Sequence, residues 1–103
     1  MAEDSNLSEL GFQGMKKGTQ VWLSCKVSAG MFSNESAVEI SQPSGEKLSL
    51  YVDNKLIRGN GEHAKLLVYV AESSDTGTTV LLPSDSFQGS RWARVLKSEL
   101  EAA

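Results

Sequence analysis

The sequence predicts a small all-β domain of about six short strands. Gln20–Val27, Lys47–Asp53 and Lys65–Val70 alternate apolar with polar residues, which is the two-residue period of a half-buried strand. Turn-forming clusters separate the alternating stretches: Ala29-Gly30, Gln42-Pro43-Ser44-Gly45, Gly59-Asn60-Gly61 and Ser73 to Gly77. Their spacing of about 10 to 14 residues suits a closed or nearly closed barrel, which leaves few open strand edges.

The elements follow in order. Residues 1–17 read as a weakly ordered arm, in which Asn6 and Glu9 could cap a single helical turn and Phe12 and Met15 could pin the arm to the domain. The barrel domain spans 18–103. Its first strand covers Thr19 to Ser28, and Met31 to Glu35 has no clean period and reads as a loop. Ser36 to Ser41 and Glu46 to Val52 form a hairpin about Pro43 and Gly45, residues that preset and relax the backbone of a turn. A second tight turn is expected at Asp53-Asn54, then a short strand from Lys55 to Arg58. Ala64 to Glu72 is the most apolar stretch and so the best candidate for a central strand. Thr78 to Leu82 is closed by Pro83, which lacks the N–H a ladder needs. The end of the chain has two readings. Arg91 to Val95 could be a final strand, whereas from Trp92 on Trp92, Val95, Leu96 and Leu100 recur at helical spacing. A short strand and a C-terminal helix of about two turns are expected.

The predicted core is Val21, Leu23, Val27, Val38, Ile40, Leu48, Leu50, Val52, Ile57, Leu66, Val68, Val70, Val80 and Leu82. At about 1.5–3 kcal/mol per buried aliphatic side chain, this set serves one core and leaves nothing for a second domain. In strand number, spacing and length the chain resembles the small SH3-like or OB-like barrels. No signature residues of either class match, so the likeness assigns no functional positions. A β-sandwich is the alternative architecture.

Composition narrows the function classes. The chain has 103 residues, 40% of them hydrophobic, with a net charge of −3. A long-range attraction to nucleic acid is therefore absent. Its start, Met1 to Asn6, is acidic and lacks the basic and apolar regions of a secretion signal, and no apolar run is long enough to span a bilayer. With a single cysteine, Cys25, no internal disulfide forms. A soluble, cytoplasmic protein without a membrane anchor is expected.

No chemistry-bearing constellation stands out. His63 is the only histidine and Cys25 the only thiol; the phase of Cys25 points it inward, where a thiol is inert. A metal site needs several ligands, and the residues do not supply a cluster. Gly59-Asn60-Gly61 lacks the third glycine and the strand-to-helix setting of a dinucleotide loop. No cofactor is expected, and the chain is read as a non-enzyme.

The candidate contact surface comes from large residues off the core phase. Trp22, Tyr51 and Tyr69 share the polar phase with Lys26, Lys47 and Lys65. On neighbouring strands these would make a platform where rings stack and lysines hold phosphates. The reading weighed ahead of it is that the apolar C-terminal stripe covers that face. Met31 and Phe32 are apolar residues in a loop. The favoured reading plugs them into one barrel end, and the other exposes them as a contact pair. Arg91, Arg94 and Lys97 form a basic row read as a solvated helix side. The function expected is a protein-binding or assembly module using the aromatic face or the Met31–Phe32 loop. A single-stranded nucleic-acid binder is the alternative, disfavoured by net charge. Oligomeric state is left open.

Overall fold

The computed structural model describes residues 18–103. The arm expected over 1–17 lies outside the described residues. Eight strands make the fold: β1 (Gln20–Ala29), β2 (Glu35–Ser41), β3 (Lys47–Asp53), β4 (Ile57–Arg58), β5 (Ala64–Ser74), β6 (Gly77–Leu81), β7 (Trp92–Val95) and β8 (Leu100–Ala102). Six of them run in the order β3-β2-β1-β5-β6-β7, while β4 pairs with β5 and β8 with β1. Every pairing is antiparallel. The result is a nearly closed small barrel.

β1 holds the barrel together. Its first part, Gln20–Cys25, pairs with β5, and Val21–Leu23 pairs on the opposite edge with β8. Its last part, Lys26–Ala29, pairs with β2. The long strand therefore belongs to both halves of the sheet. The β2–β3 hairpin forms at the predicted turn, where Gly45 takes φ 93° and donates its N–H to the Gln42 carbonyl at 2.8 Å.

Side-chain phase decides the core. Val21, Leu23, Val38, Ile40, Leu48, Leu50, Val52, Leu66, Val68, Val70, Val80 and Leu82 are all buried. Val27 and Ile57, also expected inside, are half-buried and pack against the cluster. Ala64, Ala93, Val95 and Leu100 join it.

Three local expectations are corrected. The C-terminal helix of about two turns is absent: Trp92–Val95 is β7, a single 3-10 turn spans Lys97–Glu99, and Leu100–Ala102 is β8. Burying Ala93, Val95 and Leu100 against the barrel outweighs a short helix that would have to stand alone. Asp53-Asn54 makes no left-handed turn. Asp53 accepts from the Lys55 N–H at 2.8 Å and caps a 3-10 turn over Asn54–Leu56, which shortens the following strand to Ile57–Arg58. The Met31–Phe32 plug is also overturned, since the two side chains are 71% and 67% exposed.

The seam between β3 and β7 is closed by side chains and a loop in place of a ladder. The Arg94 N–H of β7 donates to Gln42 Oε1 at 2.9 Å. The 83–91 loop lies along the free edge of β3. There the Phe87 N–H donates to the Ser49 carbonyl at 2.7 Å, the Ser49 N–H to Gln88 Oε1 at 3.1 Å, and Ser84 Oγ to the Tyr51 carbonyl at 2.8 Å. These bonds satisfy edge groups that would otherwise template another strand.

Candidate functional site

The outer face of β1, β5, β6 and β7 carries a diagonal apolar band. Trp22 lies opposite Leu67, and Gln20 opposite Tyr69. Tyr69 is in turn opposite Leu81, and Leu81 opposite Trp92. Alternation forces this arrangement, because the neighbours Val21, Val68, Val80 and Ala93 point inward and are buried. Tyr69 is 44% and Trp92 52% exposed. Trp22, Leu67 and Leu81 are half-buried. Together they leave on the order of 300 Å² of apolar surface, about the size of the largest patch on an ordinary monomer and well below the roughly 800 Å² per partner of a standard protein interface.

Polar groups frame this band. The Arg58 guanidinium sits over the Trp22 ring, 4.5 Å from its centroid, a cation–π contact that holds the indole in place. Gln20 Nε2 donates to the Tyr69 hydroxyl at 3.1 Å. Lys65 pairs with Glu101 at 3.2 Å beside Trp22. Among the described residues, no hydrogen bond engages either indole N–H.

The structure brings together only part of the expected platform. Trp22, Tyr69 and Lys65 share one region. Tyr51 and Lys47 lie on β3, separated from β1 by β2. Tyr51 pairs in register with Ala37 and packs edge-on against Phe87, with ring centroids 5.0 Å apart and planes at 64°. Lys26 is exposed beside Glu39, its register partner. A shallow depression of about 280 Å³ lies there, with Lys26, Ser28, Ala37, Glu39, Ser49 and Phe87 on its walls. Lys26 and Lys47 also line a second hollow, but Glu39, Glu62 and Glu99 share it and offset their charge.

The C-terminal stripe does not cover the aromatic face. Trp92 belongs to that face, Leu100 is buried in the core, and Leu96 is 45% exposed. Met31 and Phe32 cap the β1–β2 loop. The loop is ordered by its polar groups: the Met31 N–H donates to Glu35 Oε2 at 3.3 Å, and Asn54 Nδ2 to the Ser33 carbonyl at 3.0 Å.

The two exposed aromatics that the sequence reading missed are Trp92 and Phe87. Taking Arg91–Val95 as a strand with Ala93 and Val95 inward would have placed the first outward. Phe87 lies in a loop without a period and gave no signal.

Two members of the basic row, Arg91 and Arg94, are engaged within the fold. Arg91 donates to the Leu82 and Pro83 carbonyls, both at 3.1 Å. Arg94 donates to Thr79 Oγ1 and Ser74 Oγ at 2.9 Å and to Thr76 Oγ1 at 3.0 Å. Both guanidiniums tie strands and turns together.

Cys25 and His63 come near each other in register, since Cys25 lies opposite Ala64. The thiol faces the core, while His63 is exposed on a 3-10 turn. Burial pushes the thiol up to about 11, a shift tempered by the Lys65 ammonium. No cluster of three or more potential metal ligands exists among the described residues. Among those residues, no helix is long and apolar enough to cross a membrane.

No family model, curated protein or solved structure matches the chain.

Proposed function

We propose that this chain is a non-enzymatic protein-binding module that docks a short apolar segment on the outer face formed by Trp22, Leu67, Tyr69, Leu81 and Trp92. One observation carries the reading: large aromatic and aliphatic side chains stand in a row on four adjacent strands and remain part-exposed while the core is complete without them. Rigid rings on a sheet are good anchors because little side-chain entropy is lost on binding. The limited area suits a peptide-sized partner better than a second folded face. The single cysteine, buried and unpaired, suits a reducing compartment, and the proposal places the module in the cytoplasm.

Single-stranded nucleic acid is the second reading. The Arg58–Trp22 stack favours it. It ranks lower because Lys65 is paired with Glu101, Arg91 and Arg94 are bonded within the fold, and the net charge is −3.

Selection from a random-peptide library against the full chain tests the proposal. Enriched apolar peptides should shift tryptophan emission on titration, and Leu81→Lys should weaken them about tenfold or more. Met31→Ala should leave them unchanged. Peptides that bind Leu81→Lys as well as the parent chain would sink the reading. Emission quenching by oligothymidine that disappears in high salt would assign the face to nucleic acid.

A further inference from the structure

We propose that the peptide docking on this face is acidic as well as apolar: an Asp or Glu side chain of the partner is taken by the Arg58 guanidinium, about four or five residues from the large apolar residue that meets Trp92. The inference names the partner chemistry of the docking reading and rests on it.

Arg58 carries the argument. Its guanidinium stands 4.5 Å from the centroid of the Trp22 ring. Among the described residues it makes no hydrogen bond and no ion pair. Attraction to the ring face uses the positive charge but none of the N–H groups. A guanidinium is a rigid fork of donors that matches a carboxylate with two parallel bonds. Its place is set by the sheet: Arg58 lies opposite Lys65 on β5, and β4 is held between the 3-10 turns Asn54–Leu56 and Gly61–His63.

The chain's own carboxylates near the band are committed or distant. Glu101 is 3.2 Å from Lys65. Glu39, Glu62 and Glu99 share a hollow with Lys26 and Lys47. Glu72 follows Leu67, the register partner of Trp22, about 16 Å further along β5. Around the band, the cations Arg58, Lys65 and Arg94 outnumber the carboxylates Glu72 and Glu101, although the whole chain carries −3. The face therefore favours a negative partner locally.

That partner is a peptide carboxylate. Lys65 is paired and Arg94 is bonded to hydroxyls, so Arg58 is the cation of the band with open donors, and it suits one carboxylate. A nucleic-acid strand brings a charge with every nucleotide and would meet Glu72 and Glu101 on the same face.

Strand geometry gives the spacing. From Trp22 to Trp92 is three strand intervals, about 14 Å, and two residues along the strands, about 7 Å. The diagonal is about 16 Å, the span of about five extended residues.

The test selects random peptides on the full-length chain. The enriched sequences are then made with acetylated and amidated ends, so that every carboxylate is a side chain. They should carry Asp or Glu about four or five positions from a large apolar residue. Replacing that acid by its amide should weaken binding to the parent about tenfold, a difference that shrinks in high salt. Arg58→Gln should bind the acidic and amide peptides equally, and Arg58→Lys should keep a smaller preference for the acid. A thermal melt controls for folding. If Arg58 only steadies the Trp22 ring, Arg58→Gln weakens both peptides alike and leaves the acid preference intact, which overturns the proposal. So does enrichment of apolar peptides that lack an acid, in which case the docking reading stands with a different partner. A chain that enriches no peptide loses the docking reading and this proposal together. Quenching by oligothymidine that Arg58→Gln removes, with no acidic peptide selected, gives Arg58 to phosphate and likewise overturns the proposal.

Discussion

Cys25 shows how much one residue's phase decides. It sits inward on β1 and is buried, and the cost of placing a thiolate there raises its pKa to about 11 from 9.0. The thiol should therefore react with a disulfide reagent at neutral pH roughly a hundredfold more slowly than a free thiol, and at the free rate once urea unfolds the chain. The same shift links to stability. Between pH 9 and 11 the folded chain keeps a proton that the unfolded chain loses, so stability falls as pH rises through that window. Urea midpoints across the window should decline more steeply for the parent than for Cys25→Ala; parallel slopes would contradict the shift. This inward position was legible in the sequence because alternation alone sets it. The roles of Arg91 and Arg94 were not. Their partners are carbonyls at 82 and 83 and hydroxyls at 74, 76 and 79, and the charge pattern of residues 91–97 carries no trace of them.

At the scale of elements, the strands with a two-residue period were read correctly: β1, β2, β3, β5 and β6 lie close to where alternation puts them, β5 with a register shift between Val70 and Glu72. The chain end was not, because Trp92, Val95, Leu96 and Leu100 recur at helical spacing while Arg91 to Val95 also fits a strand. The pairing of Trp92–Val95 with β6 and of Leu100 with Leu23 across β8 and β1 settles which one is used. The β1–β2 loop failed for a related reason: hydropathy suggested burial for Met31 and Phe32, but the Met31 N–H donates to the Glu35 carboxylate and Asn54 donates to the Ser33 carbonyl, in a loop that leaves both side chains exposed. Gly30 makes that geometry possible. A Cβ placed there would come within 2.7 Å of the Glu35 carbonyl oxygen and 2.8 Å of Glu35 Cγ. Gly30→Ala should therefore destabilise the fold by about 1–3 kcal/mol, read as a lowered urea midpoint. A neutral effect would mean that the loop yields without resistance.

Across the whole molecule, the barrel separates stability from contact by face. Inward residues from every long strand meet in one cluster. The outer surface is divided by strand order, with Trp22, Tyr69 and Trp92 on the β1-β5-β6-β7 side and Tyr51 with Phe87 across the β3 edge. Strand phase could say which aromatics face outward. Strand order, a long-range property, decides which of them become neighbours, so the sequence grouped Tyr51 with Tyr69 and left out Trp92. A pair of substitutions tests the separation. Leu50→Ala removes a fully enclosed side chain and should cost about 2–5 kcal/mol. Leu81→Lys replaces a part-exposed residue whose successor's stem can lie along the sheet with its charge in water, and should cost no more than about 1 kcal/mol while weakening peptide binding about tenfold or more. Equal losses of stability in the two variants would place Leu81 in the structural core, and the outer band would then be a support for the barrel and not a surface for a ligand.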